Sequence, residues 1–119
     1  MIFISDPIGN EVILTGKIFD QVSHRRLPKF SLDDFKSVIT SPDMMIDNEE
    51  DTGWIYYIKK LGELTRIIIS AYPVGEYLMT FTCIFNPVKE YVQELIKSGL
   101  VLSFNPQGRG ALISFNMEI

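Results

Sequence analysis

The feature that most constrains the fold is a run of three strand-like segments in the middle of the chain. They cover residues 54–61, 64–72 and 76–85 and are rich in aromatic and β-branched residues, which favour a pleated surface. Only short turns separate them, at residues 62–63 and 73–75. Segments joined by turns this short pair with their immediate neighbours, so the sequence predicts an antiparallel meander.

Three further segments have apolar residues at offsets of three and four, which is the spacing of one helix face. They predict short helices over residues 17–25 and 32–40, the second with Ser31 as its N-cap, and a longer helix near the C-terminus that ends at Ser98. Asn86 is the predicted N-cap of this longer helix, because Pro87 after it suits a first helical position.

The remaining apolar segments predict additional strands on either side of the meander. A hairpin is predicted at the N-terminus, a brief strand or extended arm precedes the meander, and two strands follow the last helix. Together the segments predict one α+β domain over residues 1–119, an antiparallel sheet with two short N-terminal helices and one longer C-terminal helix. These predicted strands cover residues 2–5, 11–15, 44–46, 101–104 and 111–116.

Composition excludes several classes of site. The chain has 119 residues, of which 46 % are hydrophobic, so it can bury the core of one domain. Cys83 is the single cysteine and His24 the single histidine, which excludes a disulfide framework and multi-cysteine or multi-histidine metal sites. We therefore expect no cofactor. The longest apolar stretch, residues 77–85, is far shorter than a membrane span, and the absence of a signal-like start favours the cytoplasm.

Charge is unevenly distributed along an acidic chain of net charge −4. Basic residues concentrate between positions 17 and 36, where Arg25 and Arg26 follow His24. Two arginines can hold a phosphate, and they disfavour the charged imidazole, which leaves a neutral base. The alternative is a solvated basic face on which the histidine caps a helix. Residues 43–51 carry five acids and no base.

Polar residues also interrupt the predicted meander. Strand alternation places Arg66, Ser70 and Tyr72 on one face. It places Thr80 and Thr82 on a shared face of the next strand, together with Leu78 and Ile84. An arginine near hydroxyl groups suits a phosphate-binding surface, which Lys59 and Lys60 would border. Threonine is also common in strands without any function.

Three parts of the chain resemble a known family. The first contains Val12-Ile-Leu-Thr and Val22-Ser-His-Arg, and the second runs from Phe35 through Ile39-Thr-Ser-Pro-Asp-Met-Met-Ile. The third combines Trp54-Ile-Tyr-Tyr-Ile-Lys, Thr-Arg-Ile-Ile-Ile and Tyr-Leu-Met-Thr-Phe. Together, over about residues 11–85, they resemble the barnase–EndoU–colicin–RelE superfamily, especially the small nucleases of its phage and polymorphic-toxin branch.

The resemblance implies a metal-independent ribonuclease that uses the RNA 2′-hydroxyl as its nucleophile. It implies that His24 is the general acid or base, that Arg66 stabilises the phosphate and that Thr80 orients it. Arg25 or Arg26 would contact the substrate, as would Lys59 at the border of the surface. One histidine followed by two arginines replaces the family's usual H-x-x-R-H, so an inactive member stays an open alternative.

Two other readings do not involve catalysis. An acidic protein-binding module, such as an immunity protein or antitoxin, would use residues 43–51 as a contiguous exposed face. A homo-oligomer would pair through an edge strand over residues 111–119. The sequence leaves open whether RNA, another protein or a second copy is the partner, and whether the chain is an enzyme.

Overall fold

A seven-stranded mixed sheet forms the centre of the protein. The structure is a computed structural model that describes residues 2–23, 30–48, 53–63 and 65–104. The strands lie side by side in the order β1-β2-β6-β5-β4-β3-β7. Their bounds are β1 Ile2–Ser5, β2 Glu11–Leu14, β3 Met44–Asn48, β4 Ile55–Leu61, β5 Thr65–Val74, β6 Tyr77–Phe85 and β7 Gly99–Phe104.

The predicted meander is present and is extended by one strand, because β3 pairs antiparallel with β4, β4 with β5 and β5 with β6. The N-terminal hairpin of β1 and β2 joins the meander through β6. This one junction is parallel, and it pairs Val12 with Leu78 and Ile13 with Met79. Parallel strands need a long connection between them. Here residues 15–76 connect β2 to β6, and they include the strands β3, β4 and β5.

Helices cover the sheet on both faces. α1 (Gly16–Ser23) and α2 (Leu32–Thr40) pack on one face, which we call the two-helix face. α3 (Lys89–Ser98) packs on the opposite, one-helix face through Val92 and Leu95. All the described elements belong to this sheet and its helices, so the α+β prediction is confirmed. No helix in the described ranges is long and apolar enough to cross a membrane.

The sequence predicts the start of α2 correctly, but it does not predict the start of α3. Ser31 is the N-cap of α2, and it forms a capping box with Asp34. Asn86 is not the N-cap of α3, which begins at Lys89 without a side-chain cap. Asn86 instead has a φ of 48°, and its side-chain oxygen accepts a hydrogen bond from the Arg66 backbone N–H. Tertiary pairing with β5 therefore replaces the predicted capping role.

Three predicted segments lie wholly or partly outside the described residues. They are the last two positions of the helix predicted over 17–25, the first position of the strand predicted over 64–72, and the whole strand predicted over residues 111–116.

A buried carboxylate links the first turn to the meander. Asp6 is 6 % exposed, and it accepts hydrogen bonds from the backbone N–H groups of Ile8 and Asn10 and from the Asn10 amide. The hydroxyl of Tyr57, a fully buried residue of β4, donates to Asp6 at 2.7 Å. Burial raises the pKa of Tyr57, and the hydrogen bond to Asp6 and its charge raise it further. The phenol therefore stays a proton donor.

We expect Asp6→Ala to lower the free energy of unfolding by roughly 1–3 kcal/mol, because it leaves the buried Tyr57 hydroxyl and two turn N–H groups without their acceptor. Urea denaturation followed by circular dichroism measures the change. Glu63→Ala, at an exposed turn, is the control and should shift stability by less than about 0.5 kcal/mol. Equal stability of the two variants would contradict a structural role for this carboxylate.

The junction between α3 and β7 requires a residue without a side chain. A Cβ added at Gly99 would overlap the Ile46 side chain and lie 2.8 Å from the Leu95 carbonyl oxygen. We expect Gly99→Ala to cost roughly 1–3 kcal/mol through overpacking. Gly16→Ala is the matched control, since its Cβ meets nothing within 4 Å, and thermal unfolding should find it unchanged or slightly more stable. A Gly99→Ala melting temperature equal to that of the wild type would disprove the steric argument.

Candidate functional site

A β-bulge in β6 determines which side chains share a face. The register pairs Ser70 with Thr82 but Ala71 with Thr80, so Phe81 is an extra residue. Thr80 consequently faces the two-helix side with Ala71, whereas Thr82 faces the one-helix side with Ser70. The prediction that the two threonines share a face was therefore wrong, since simple alternation does not hold across a bulge.

The bulge exposes an aromatic group at the edge of the area that α3 covers. Phe81 is 54 % exposed, and its ring lies 5.3 Å from Trp54 and 5.9 Å from Tyr72, measured between ring centroids. The Trp54 and Tyr72 rings are 5.4 Å apart. Both contacts of Phe81 are edge-to-face, which is an energetically preferred arrangement of aromatic rings, whereas the Trp54 and Tyr72 rings are tilted by 33°. We refer to Trp54, Tyr72 and Phe81 as the aromatic triad.

Beside the triad, β2 separates from β6. Their pairing ends at Ile13 and Met79, and the buried Thr80 hydroxyl donates to the Ile13 carbonyl oxygen at 3.0 Å. The chain then turns into α1, where Thr15 accepts a hydrogen bond from the Ile18 backbone N–H through its side-chain oxygen. This leaves the Thr15 hydroxyl proton available to donate. A notch therefore opens between β6 and the first turn of α1.

The notch contains a cavity of about 510 Å³, which we call the β6 cavity. Tyr72 and Phe81 of the aromatic triad line it, and Lys17 is the one charged residue among its described lining residues. No carboxylate belongs to that described lining, although the whole chain is acidic. The residues that line it are Thr15, Lys17, Ile18, Tyr72, Met79, Thr80, Phe81 and Thr82.

The structure does not bring Arg66 and Thr80 together. Arg66 lies opposite Lys60 on the one-helix face, whereas Thr80 lies opposite Ala71 on the two-helix face. Arg66 and Ala71, the β5 residue that pairs with Thr80, are five positions apart along β5. This separation corresponds to about 17 Å at the usual strand rise. Of this pair, the β6 cavity contains Thr80 alone.

Lys59 has a structural partner. Its ammonium group donates to the Ser41 carbonyl oxygen at the C-terminal end of α2, at 2.5 Å. Lys59 pairs with Ile67 of β5, whereas Thr80 pairs with Ala71, which is four positions further along the same strand. These two residue pairs are therefore about 13 Å apart along the strand. Lys59 therefore caps a helix, and it does not line the β6 cavity.

The remaining predicted site residues are His24, Arg25 and Arg26, and they lie outside the described residues. They follow Ser23, the last residue of α1, directly in the chain. The predicted pairing edge over residues 111–119 also lies outside. Within the described ranges no group of three or more His, Cys, Asp or Glu side chains is placed to hold a metal ion.

The predicted acidic face is not continuous in the described part of its range. Met44, Met45 and Ile46 are fully or almost fully buried, and they separate the half-buried Asp43 from the half-buried Asp47. The Asp43 carboxylate also accepts a hydrogen bond from the Lys60 backbone N–H at 2.8 Å. Residues 44–48 therefore form the strand β3 rather than a contiguous acidic surface, because the apolar residues between the acids lie in the core.

Comparison with protein-family models, with curated proteins and with solved structures finds no match to this chain. The chemistry of the β6 cavity is therefore what points to a function. Sequence reasoning missed Lys17 and Phe81, because their proximity depends on the bulge and on the parallel pairing of β2. Its lining combines the hydrogen-bond donors Lys17 and Thr15, which suit an anion, with the aromatic residues Tyr72 and Phe81, which suit a planar group.

We expect Thr80→Val to lower the free energy of unfolding by about 1–2 kcal/mol, because an isosteric side chain leaves the Ile13 carbonyl without its buried donor. Guanidinium denaturation measures the loss. Thr40→Val, on the exposed surface of α2, should change stability by less than about 0.5 kcal/mol. A Thr80→Val protein as stable as the wild type would show that this hydroxyl does not hold β2 to β6.

Proposed function

We propose that this protein is a small metal-independent ribonuclease-like domain, and that it binds single-stranded RNA in the β6 cavity. The observation that supports this proposal is the composition of the cavity lining. A chain of net charge −4 presents here one lysine, no described carboxylate, hydroxyl groups and two aromatic rings. Phosphates require cations and hydrogen-bond donors, and unpaired bases stack on aromatic side chains.

The order of elements also supports the proposal. Two helices precede the meander, and the barnase–EndoU–colicin–RelE superfamily that the sequence resembles has the same order of helices and meander. The first turn of α1 lines the β6 cavity, and the segment 24–26 follows its last turn.

The proposed reaction is an internal transesterification. His24 in its neutral form accepts the proton of the RNA 2′-hydroxyl, and the 2′ oxygen attacks the adjacent phosphorus. The bond from phosphorus to the 5′ oxygen breaks, and the imidazolium returns a proton to that oxygen. Arg25 and Arg26 neutralise the phosphate, while Lys17 binds a neighbouring phosphate. No role in this step is assigned to Lys59 or Arg66, since neither lies at the cavity.

The alternative of an acidic protein-binding module is less well supported. It required a contiguous exposed face over residues 43–51, and Met44 to Ile46 are buried within that range. The acidic net charge favours a basic partner in general, but it does not select a surface for that partner.

The purified protein should cleave single-stranded RNA in the presence of EDTA, and His24→Ala should reduce the rate roughly 10²- to 10⁴-fold, the usual contribution of a general acid or base. Gel analysis of a labelled RNA, with identification of a 2′,3′-cyclic phosphate product, measures the activity. Lys17→Gln should weaken substrate binding, and Lys36→Gln, on exposed α2 surface, is its control.

Absence of cleavage by the wild type over several pH values, at high protein concentration, would rule out the catalytic proposal. Cleavage that survives in His24→Ala but requires added metal would also rule it out. Equal effects of Lys17→Gln and Lys36→Gln would remove the β6 cavity from the proposed binding site.

A further inference from the structure

Phe81 of the aromatic triad is one of the large apolar side chains that the described part of the fold leaves about half exposed. The ring of Phe81 contacts Trp54 and Tyr72, yet Phe81 stays 54 % exposed. α3 packs through Val92 and Leu95 on a cluster of residues from β3, β4 and β5, and Trp54 packs against that cluster, whereas Phe81 belongs to neither core cluster of the described residues. A ring that already packs against two others, as Phe81 does, loses little conformational freedom when it binds a flat partner.

The surroundings of the triad select the chemistry of that partner. Tyr72 and Phe81 form part of the β6 cavity, so the rings are continuous with the surface that carries Lys17 and the Thr15 hydroxyl. The described cavity lining contains no carboxylate, which favours an anionic ligand in spite of the net charge of −4. A group that combines a flat ring with a nearby negative charge matches this arrangement, and a nucleotide is such a group.

We propose that the triad is a base-stacking subsite for single-stranded RNA, in which Phe81 stacks on a nucleobase while Lys17 binds an adjacent phosphate. This proposal rests on the proposed function, because it names a subsite for the same substrate. The stacking subsite is also distinct from the proposed catalytic step, because stacking fixes the position of the RNA without contributing a proton or a charge to cleavage. Phe81 is therefore a positioning residue.

Trp54 provides a direct measurement of this contact. It is the single tryptophan of the chain, and its ring centroid lies 5.3 Å from that of Phe81. A base that stacks on the triad should quench tryptophan fluorescence, whereas a phosphate bound elsewhere on the protein should not. Titration of the full-length protein with an RNA oligomer of about ten nucleotides gives both the quench and the affinity.

The ligand is a 2′-O-methyl oligomer, because blocking the 2′-hydroxyl prevents cleavage and separates binding from catalysis. An abasic oligomer of the same length retains the phosphates and lacks the bases. We expect the first to quench Trp54 fluorescence with saturation and the second to produce no quench. Quenching by both would overturn the stacking proposal in favour of a purely electrostatic contact.

Three variants test the role of the ring. Phe81→Ala should weaken binding of the 2′-O-methyl oligomer roughly 5- to 150-fold, the range measured for loss of one base–aromatic contact. Phe81→Leu keeps an apolar side chain without a flat ring and should weaken binding as well, which excludes simple hydrophobic contact. Phe3→Ala is the matched control, since Phe3 is 52 % exposed but lies outside the triad and the cavity.

The outcomes distinguish this inference from the proposed function. Tight binding with quenching, together with no cleavage of unmodified RNA, would retain the stacking subsite and reject the ribonuclease. Cleavage of RNA by the wild type, together with unchanged affinity in Phe81→Ala and Phe81→Leu, would retain the ribonuclease and reject the stacking subsite. Equal losses in Phe81→Ala and Phe3→Ala would indicate a broad docking face for another macromolecule and would overturn the subsite. Circular dichroism confirms that each variant is folded.

Discussion

The burial of β5 on both of its faces is the constraint on which the rest of this structure depends. Ile67, Ile68 and Ile69 are consecutive and fully inaccessible, so each face of the central sheet must be covered. α1 and α2 cover one face, and α3 covers the other. A strand with this pattern cannot lie at an exposed edge, because consecutive side chains point to opposite faces. The central position of β5 and the two helical layers follow from this requirement.

The cover on the one-helix face is incomplete, and the candidate site lies where it ends. α3 packs over one end of the sheet, while the bulge at Phe81 adds a residue to β6 beyond that area. The extra residue turns Thr80 towards the buried face and leaves the ring of Phe81 exposed. Because β2 also departs from β6 here, one local irregularity creates both the aromatic triad and the cavity beside it.

Two buried polar hydrogen bonds reinforce the attachment of the N-terminal hairpin to the meander, which the β2–β6 pairing also provides. Tyr57 donates to Asp6 across 51 positions of the chain, and Thr80 donates to Ile13 across 67. Both contacts lie at places where an unpaired group would be costly, because neither site is open to water. They fix the hairpin against the sheet and thereby determine where α1 begins. The position of Lys17 at the cavity is a consequence of this attachment.

The sequence alone determined the local elements. Turn residues and β-branched segments predicted the meander, Ser31 predicted the start of α2, and apolar spacing predicted the three helices, because these signals act over a few residues. Only the tertiary structure decided the parallel pairing of β2 with β6, the bulge at Phe81 and the pairing of Asn86 with Arg66. Each of these depends on segments far apart in the chain, so no local pattern encodes it. The distance between Arg66 and Thr80 has the same origin, since alternation along one strand fixes a face but not the register with its neighbour.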